Sequence, residues 1–566
     1  MSLFSAIQGS ANALRVNQLG LQVVGNNIAN VNSPGYIRQE LVQAPAYGYK
    51  AGDLIIGQGV ESIGVQQKVD ELVLARLRET QSQLSYQEQV ESSNGDIEAL
   101  LNELTDNDLS TKFSALASAF QDIANQPGSE PIRAIAIQRG QELASQLRSI
   151  SSGVVESANR NRQEVGLAVD QVNRLSDSIA KLNRRIVEIE GGSNSSAVGL
   201  RDERIAALDE LSTYVDISVT EQLNGSVTVF VGGDYIVSDG IPRSVVAKRI
   251  EDNEDGSGIE LRFVDTDSRL EVQAGRIRGL YDSIRANSQE GFIGKIDGMA
   301  RDIIHVVNRI HSQGQGTKGF TNLTGETVIA KANVPFEVSN PDFNIDNGSF
   351  VVRLTDARTK LTTTYDIPVQ QQGSLDDTTA DQLAARLDAI SGISASITND
   401  GRLQIKSDSS AVSFSFAEDT SGALAALGIN TFFVGNSAAT IGVRSGISQD
   451  HSQLAISSDG VGNGARNAIK IAEAFNKPSD LLGGRSLSGI YGTIVSETTR
   501  EINTQKGVTD GFRNFRQTLE AKHLGISGVN LDEEAVKMLL YQRAFQATSK
   551  LVTTVSEMLD TLVNII

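Results

Sequence analysis

Residues 3–28 read LFSAIQGSANALRVNQLGLQVVGNNI, and residues 551–565 read LVTTVSEMLDTLVNI. In the first stretch Leu3, Ile7, Leu14, Leu21, Val24 and Ile28 recur at helical spacings; in the second Leu551, Val555, Met558, Leu562 and Ile565 do the same. Both patterns predict helices with an apolar seam of coiled-coil type. Chain ends normally fray and carry solvating charge. Here the first 37 residues hold a single charged side chain, Arg15, and the last five are Leu562, Val563, Asn564, Ile565 and Ile566. Ends built this way are expected to be buried, against each other or against another copy of the molecule.

Between these ends the texture changes twice. Asn30-Val31-Asn32-Ser33-Pro34-Gly35 stops the opening helix, since Pro34 disfavours helix before it and Gly35 permits a turn. Residues 36–66 read as extended, and helix dominates from about Val69 to 214. A segment from Pro131 to Glu190 contains the cleanest heptad, Val165, Ala168, Val172, Leu175, Ile179, Leu182, Ile186 and Ile189, and Gly191-Gly192-Ser193-Asn194 ends it. Alternating Val227, Val229 and Val231, followed by the Gly232-Gly233-Asp234 turn, mark a small β domain over 215–275. Helix is expected again at about 288–313. A second β-rich insert spans about 320–445, interrupted by one helix near 379–390. Helices resume from about 465, and Asn530 with Glu533 reads as a capping box for the last one.

The expected architecture is therefore multidomain α+β. Terminal helices pair in a coiled-coil stem and bundle, and β-rich domains are inserted outward. The division is 1–66 with 525–566 as a terminal helical domain; 67–214 with 276–318 and 446–524 as a helical bundle; 215–275 as a small β domain; and 319–445 as a β-rich outer insert.

Composition narrows the function. The chain has 566 residues, a formal charge of −19, no Cys and no Trp. Nucleic-acid phosphates require clustered Lys and Arg, so that class of partner is excluded. Zero Cys excludes disulfides, thiolate metal sites and a cysteine nucleophile. No run approaches a membrane span, and the opening lacks the basic stretch and unbroken apolar run of a secretory signal.

Catalytic and metal motifs are weighed and set aside. Gly314-Gln315-Gly316-Thr317-Lys318-Gly319 matches G-x-G-x-x-G, but a helix precedes it and β texture follows, so it reads as a loop. Glu251, Asn253, Asp255 and Gly256 imitate the front of a calcium loop, yet the twelfth position is Arg262. Asp265 and Asp267 read as solvated strand-end acids, and His305 and His311 as helix residues without a third ligand nearby. No enzyme, metal or cofactor is expected.

The opening helix is unusual in its polar positions. Asn12, Asn17, Asn26, Asn27, Asn30 and Asn32 stand where charges normally solvate a helix, and Gly9, Gly20 and Gly25 weaken it further. Neutral amides tolerate burial because they can be hydrogen-bonded, whereas buried charges are costly. These features point to an assembly interface containing Leu3, Ile7, Leu14, Leu21, Val24, Asn26, Asn27, Ile28, Asn30, Asn32, Gly35 and Tyr36, together with Leu551, Val555, Met558, Leu562 and Ile565.

Ala11-Asn12-Ala13-Leu14, followed by Asn26-Asn27-Ile28-Ala29-Asn30-Val31-Asn32-Ser33-Pro34-Gly35-Tyr36, closely resembles the N-terminal signature of the bacterial flagellar rod, hook and hook-associated proteins. Gly528 to Ala535, Tyr541 to Ala547 and Glu557 to Leu562 resemble the closing helix of the same family. The long helical stretch 69–200, Leu200 to Leu211, Asn308-Arg309-Ile310-His311 with Gly314, and Ser421 to Asn430 resemble its hook-associated members.

The resemblance implies a structural adaptor at the hook–filament junction, assembled as a helical homo-oligomer whose terminal helices form the wall of a tube. It implies contact with the hook protein and with the second junction protein. It also implies export through the flagellar type III apparatus, with a cytoplasmic chaperone shielding the C-terminal helix beforehand. Location would be cytoplasmic before export and flagellar after it, with no membrane insertion. In an isolated subunit, residues 1–35 and 535–566 are expected to be largely disordered, because their apolar faces lack partners. The alternatives are a hook or rod component, which would turn to β domains soon after the first helix, a coiled-coil scaffold, and a surface enzyme with its site in residues 320–445.

Overall fold

The computed structural model describes the chain except residues 1–2, 52–53, 102–107, 192–195, 251–256, 340–341, 374–376, 463 and 566. The chain divides into two compact units, one of residues 1–93, 160–285 and 503–566, the other of 94–159 and 286–502. The α+β architecture expected from the sequence is present, with long helices at both ends and β sheets between them.

In the first unit an opening helix, Leu3–Ala29, lies against a closing helix, Leu531–Ile565. Contacts at Asn27 with Glu534 and at Gly20 with Tyr541 run in opposite directions along the chain, so the pair is antiparallel. The expectation of ends without partners in a single subunit differs from this arrangement, because each end supplies the other with packing and hydrogen bonds. Gly35 takes a positive φ of 75° and turns the chain into a hairpin of Gln39–Pro45 and Val60–Gln67, which carries a bulge between Val42 and Gln43. Gly9 sits against the backbone of Gln58 and Gly59, so the hairpin packs closely on the opening helix.

The same unit contains the small β domain. Ser218–Glu221, Val227–Val231, Asp234–Ser238 and Ile241–Pro242 form a four-stranded antiparallel sheet, and Val245–Arg249 pairs with Ile259–Phe263. The heptad of the long helix Glu130–Glu190 is used here: Val165, Val172 and Ile179 share a core with Val229, Ile236, Leu261 and Phe263, and with Leu211 from the helix Val198–Tyr214. One expectation is corrected. The β texture was expected to persist to 275 with helix resuming near 288, but a helix spans Gly275–Ala286 and places Ile277, Leu280 and Ile284 in that core. Gly275, at φ 86°, starts it where a Cβ would come within 2.5 Å of the Tyr214 backbone.

The second unit has two cores. One joins Leu109–Asn125, Phe292–His311, Arg466–Asn476 and the start of Leu487–Ser527 around Phe113, Phe120, Ile303, Phe432 and Phe475. The other fills the β-rich insert. There Thr362–Val369, Gly348–Asp356 and Val412–Ala417 form one antiparallel sheet, and Asn322–Thr324, Leu403–Ser407 and Ile393–Ile397 form another. Helix Ala380–Asp388 lies between them in sequence, started by a Thr379–Gln382 capping box. Phe350, Phe414, Phe416 and Leu383 meet in their common core.

The motifs set aside fall as follows. Gly314 and Gly316 occupy a loop after Phe292–His311, and a Cβ on Gly316 would collide with the Ser452 carbonyl oxygen; glycine here serves close backbone packing. Asp265 pairs with Arg243, and Asp267 with Lys248 and Arg262. His305 stacks on Phe343, with ring centroids 5.3 Å apart. His311 is fully buried: Nδ1 lies 2.8 Å from the Asn430 carbonyl oxygen, and Nε2 accepts from the Ala455 N–H at 3.0 Å, an arrangement that selects the neutral ring protonated on Nδ1. The calcium-like residues 251–256 and the helix-ending stretch 192–195 lie outside the described residues. Among the described residues no group of three or more His, Cys, Asp or Glu is placed to hold a metal, and no helix is long and apolar enough to cross a membrane.

Candidate assembly site at the paired terminal helices

A buried polar network in the first unit joins the asparagine-rich turn to the start of the closing helix. Asn27 is fully buried and uses every hydrogen-bonding position of its amide. Its Nδ2 donates to the Gln39 carbonyl at 2.9 Å and to Glu534 Oε2 at 2.9 Å. Its Oδ1 accepts from the Gln39 N–H at 3.0 Å and from the Tyr36 hydroxyl at 2.8 Å. The Asn27 side chain thus pairs with Gln39 as a strand neighbour would, and the remaining donor reaches the far end of the chain.

Arg38 completes the closure. Its Nε donates to Glu534 Oε1 at 2.9 Å, and a terminal nitrogen lies 2.7 Å from the same oxygen and 2.8 Å from Glu533 Oε2. The Arg38 backbone N–H donates to the Ser527 carbonyl at 2.9 Å, and its carbonyl accepts from Lys68 N–H at 2.8 Å. The side chain of Arg38 is 6% exposed and that of Glu534 is 0% exposed. Burial alone would raise the Glu534 carboxyl, but the hydrogen bonds from Asn27 and Arg38 outweigh it and hold the group below the ordinary carboxylate range. Burial likewise opposes the Arg38 charge, and the Glu533 and Glu534 carboxylates more than restore it. Tyr36 is pushed up to about 12, first by burial and then by the charges of Asp202 and Glu534. Buried pairs of this kind contribute little net stability when intact and cost much when one member is removed.

The cap of the closing helix differs from the expected reciprocal box. Asn530 Oδ1 accepts from the backbone N–H groups of Asp532 and Glu533, as an N-cap should, while the Glu533 carboxylate turns to Arg38. Seven residues beyond Glu534, Tyr541 is wedged over Gly20. A Cβ on Gly20 would stand 2.5 Å from the Tyr541 ring, so glycine is what allows the two helices to approach there.

The sequence-derived interface residues divide by face. On the opening helix Val24 is buried, Ile7, Leu14, Leu21, Ile28 and Asn30 are half-buried, and Asn26, Asn32 and Gly35 are exposed; Tyr36 is half-buried beside Asn27. On the closing helix Val555 is buried, whereas Leu551 is 52% and Met558 54% exposed. The side chains of Leu3, Leu562 and Ile565 lie outside the described residues. Leu551 and Met558 continue a row of Val536 and Leu540, also exposed. At 3.6 residues per turn this row is rotated about 100° from the Glu534, Tyr541 and Val555 line that faces the opening helix. The closing helix therefore has two working faces: one is covered by its own chain, and the other is open. Gly20, Arg38, Glu534 and Tyr541 were not among the expected site residues. The signal for Arg38 was its place as the first charge after Arg15, and for Glu534 the acidic first turn of the closing helix.

The family model "Flagellar hook-associated protein FlgK helical domain" matches residues 95–326, and "Flagellar basal body rod FlgEFG protein C-terminal" matches residues 520–565. Flagellar hook-associated protein 1 of Escherichia coli K12 is 24% identical over 590 aligned positions, covering 99% of this chain and 100% of that protein. Flagellar hook-associated protein 1 of Salmonella typhimurium is 23% identical, again covering 99% and 100%. Among solved structures, the flagellar hook junction protein FlgK from Burkholderia pseudomallei aligns with a TM-score of 0.48 at 15% identity, covering 79% of this chain and 99% of that one.

Proposed function

We propose, taking as premise that the chain is a member of the flagellar hook-associated protein 1 family, that its paired terminal helices build the wall of a tube of identical subunits at the hook–filament junction. The protein is a structural component of the flagellum. The observation that carries the assembly reading is the open face of the closing helix. Val536, Leu540, Leu551 and Met558 stay exposed while the neighbouring face is locked by Arg38, Asn27 and Glu534. Fully burying one large apolar side chain is worth about 1.5–3 kcal/mol, so such a row is a substantial incentive to associate. A monomer leaving it in water would be prone to aggregate.

The division of labour follows. Residues 1–66 with 525–566 act as the wall, and the β-rich segments 215–275 and 319–445 face outward. The hook protein contacts one end of the resulting ring, and the second junction protein the other. Passage through the type III apparatus takes the chain from the cytoplasm to the flagellum, and a chaperone covers the open stripe before passage. The work is mechanical, with no catalytic step assigned to any residue.

Leu551→Glu tests the reading. The purified variant is expected to keep the circular dichroism and melting of the native chain, since Leu551 is exposed in the monomer. Cells carrying it are expected to show hooks without filaments and flagellin released to the medium. Normal filaments on those cells would refute the reading.

A further inference from the structure

A cleft of about 500 Å³ in the first unit has the unfinished edge of a sheet as one wall. Ser218–Glu221 is the outermost strand of its four-stranded sheet and pairs with Val227–Val231 alone. The Gln222 N–H donates to the Ser226 carbonyl at 2.8 Å, and this fixes the alternation along the ladder. Ser218–Phe230 and Thr220–Thr228 are the hydrogen-bonded pairs, so the N–H and C=O groups of Val219 and Glu221 point away from the sheet. Among the described residues nothing bonds these four groups. Ile217, Val219 and Glu221 share one face of the strand and line the cleft, with Val227 beside them across the ladder. Helical walls complete it: helix Glu71–Leu101 brings the exposed Leu72 and Ala75, and helix Val198–Tyr214 the half-buried Ile205 and the buried Leu208.

Open strand edges invite pairing, and proteins guard them with Pro, Lys, bulges or charges. The edge strand Thr362–Val369 is guarded in this way by Pro368 and the exposed Asp366. Ser218–Glu221 has no Pro, no Lys and no register shift, and its four residues leave room for two added pairs. Its single charge, Glu221, is drawn to Arg201 at 2.8 Å.

The charges left over in the cleft form a pattern. Arg78 is engaged by Asp209, Arg201 by Glu190 and Glu221, and Arg204 by Asn183 and the Gly225 carbonyl. Glu71, Arg76 and Glu79 line the cleft, are exposed, and have no ion-pair partner among the described residues. They follow one another along the helix axis at about 7.5 Å and then about 4.5 Å. Alternate residues of a strand stand about 6.6 Å apart, so a base, an acid and a base at positions i, i+2 and i+4 cover nearly the same length with opposite signs.

We infer that the outer edge of Ser218–Glu221 is a docking place for an extended segment of another protein, which adds a fifth strand to the sheet and turns a base–acid–base series at alternate positions towards Glu71, Arg76 and Glu79. The backbone groups of Val219 and Glu221 supply the new ladder, and the aliphatic stems of the basic side chains lie on Leu72 and Ala75. None of the residues lining this cleft belongs to either terminal helix.

The test titrates the full-length chain against the fluorescent probe acetyl-Thr-Lys-Val-Asp-Val-Lys-Thr-amide and reads anisotropy. Saturable binding is expected, and the sign-reversed probe acetyl-Thr-Glu-Val-Lys-Val-Glu-Thr-amide is expected to bind about tenfold more weakly. Val219→Pro deletes an N–H that the sheet does not use, and Pro is tolerated on edge strands. That variant is expected to keep the native melting and to lose about tenfold in affinity. If it melts early, a probe N-methylated at its three charged positions carries the same test and is expected not to bind. Arg76→Glu, on an exposed helix surface, is expected to shift the preference to a probe with Lys in place of Asp. No saturation by about 1 mM, equal affinity of native and correctly folded Val219→Pro chains, binding of the N-methylated probe, or a probe ranking unchanged by Arg76→Glu overturns the inference. Dimers of the native chain that Val219→Pro abolishes in sedimentation would give the edge to a second copy and overturn its assignment to another protein.

Discussion

Asn27 and Glu534 stand 507 positions apart in the chain and share a 2.9 Å hydrogen bond at a point where neither side chain has any exposure. A contact between such distant segments needs every participating group satisfied, because chain entropy opposes closing so long a loop. The Asn27 amide meets that demand with four partners, and Arg38 supplies the countercharge.

Asn27→Asp is expected to open this closure. The new carboxylate loses both donated hydrogen bonds and adds a buried negative charge beside Glu534. The cost should be about 3 kcal/mol or more. Amide exchange around residues 20–39 and 531–545 should accelerate, while the second unit keeps its protection; unchanged exchange at the ends would contradict the role given to Asn27.

Two acid transitions are expected in different pH windows. His311 is pushed down to about 4, mainly by burial, with Arg444 adding to it and the Asn430 hydrogen bond opposing. The unfolded state therefore takes up the proton first, and stability is lost as pH falls from about 6.5 towards 4, on the order of 3 kcal/mol in all. Glu534 behaves oppositely. Its folded value is held below the ordinary one, so its contribution is complete above about 4.5 and disappears only as pH drops through the lowered folded value. Exchange measured between pH 7 and 3 should show the core around His311 weakening before the terminal closure. His311→Gln should flatten the earlier transition.

Gly20→Ala should destabilise the helix pair. In a free helix this change would gain about 1 kcal/mol of propensity. Here the added Cβ meets the Tyr541 ring at 2.5 Å, and displacing the ring should cost more than that gain, for a net loss of about 1–2 kcal/mol. Gly20→Ala in a Tyr541→Ala background should recover the propensity gain; a double-mutant cycle with no coupling would show that the ring moves freely.

In dilute monomer the terminal helices should show graded rather than uniform order. Amide protection is expected to be highest near Asn27, Arg38 and Glu534 and to fall along the closing helix beyond Val555, where the exposed row has no partner among the described residues. Incorporation into flagella should raise protection at 551–565 most. Equal protection along the whole helix in the monomer would remove the need for a neighbour.

Much of the fold was legible because its helices carry local signals. The Asn30–Gly35 stop, the Pro131 start and the heptad from Val165 each act within a few residues. The helix Gly275–Ala286 was missed although Ile277, Leu280 and Ile284 have helical spacing, because it is short and follows directly on β texture. At the site, periodicity selected apolar residues but did not separate the seam used by the chain's own partner from the seam left open. Val555 and Met558 belong to one ladder in sequence, yet Val555 is 7% and Met558 54% exposed. Arg38 and Glu534 form a pairing of distant segments, and nothing local in either segment encodes the other.

The closure at Asn27, Arg38 and Glu534 draws on Gln39, Lys68 and Ser527 besides the two extremities, and among the described residues it has no hydrogen-bond or ion-pair partner in the second unit. Residues 286–502 are thus carried along the chain between the two halves of a clasp. Foreign modules grafted into the exposed Arg358–Leu361 turn should ride along without disturbing how the ends meet, which makes the molecule a ready display platform for anything its host can tolerate.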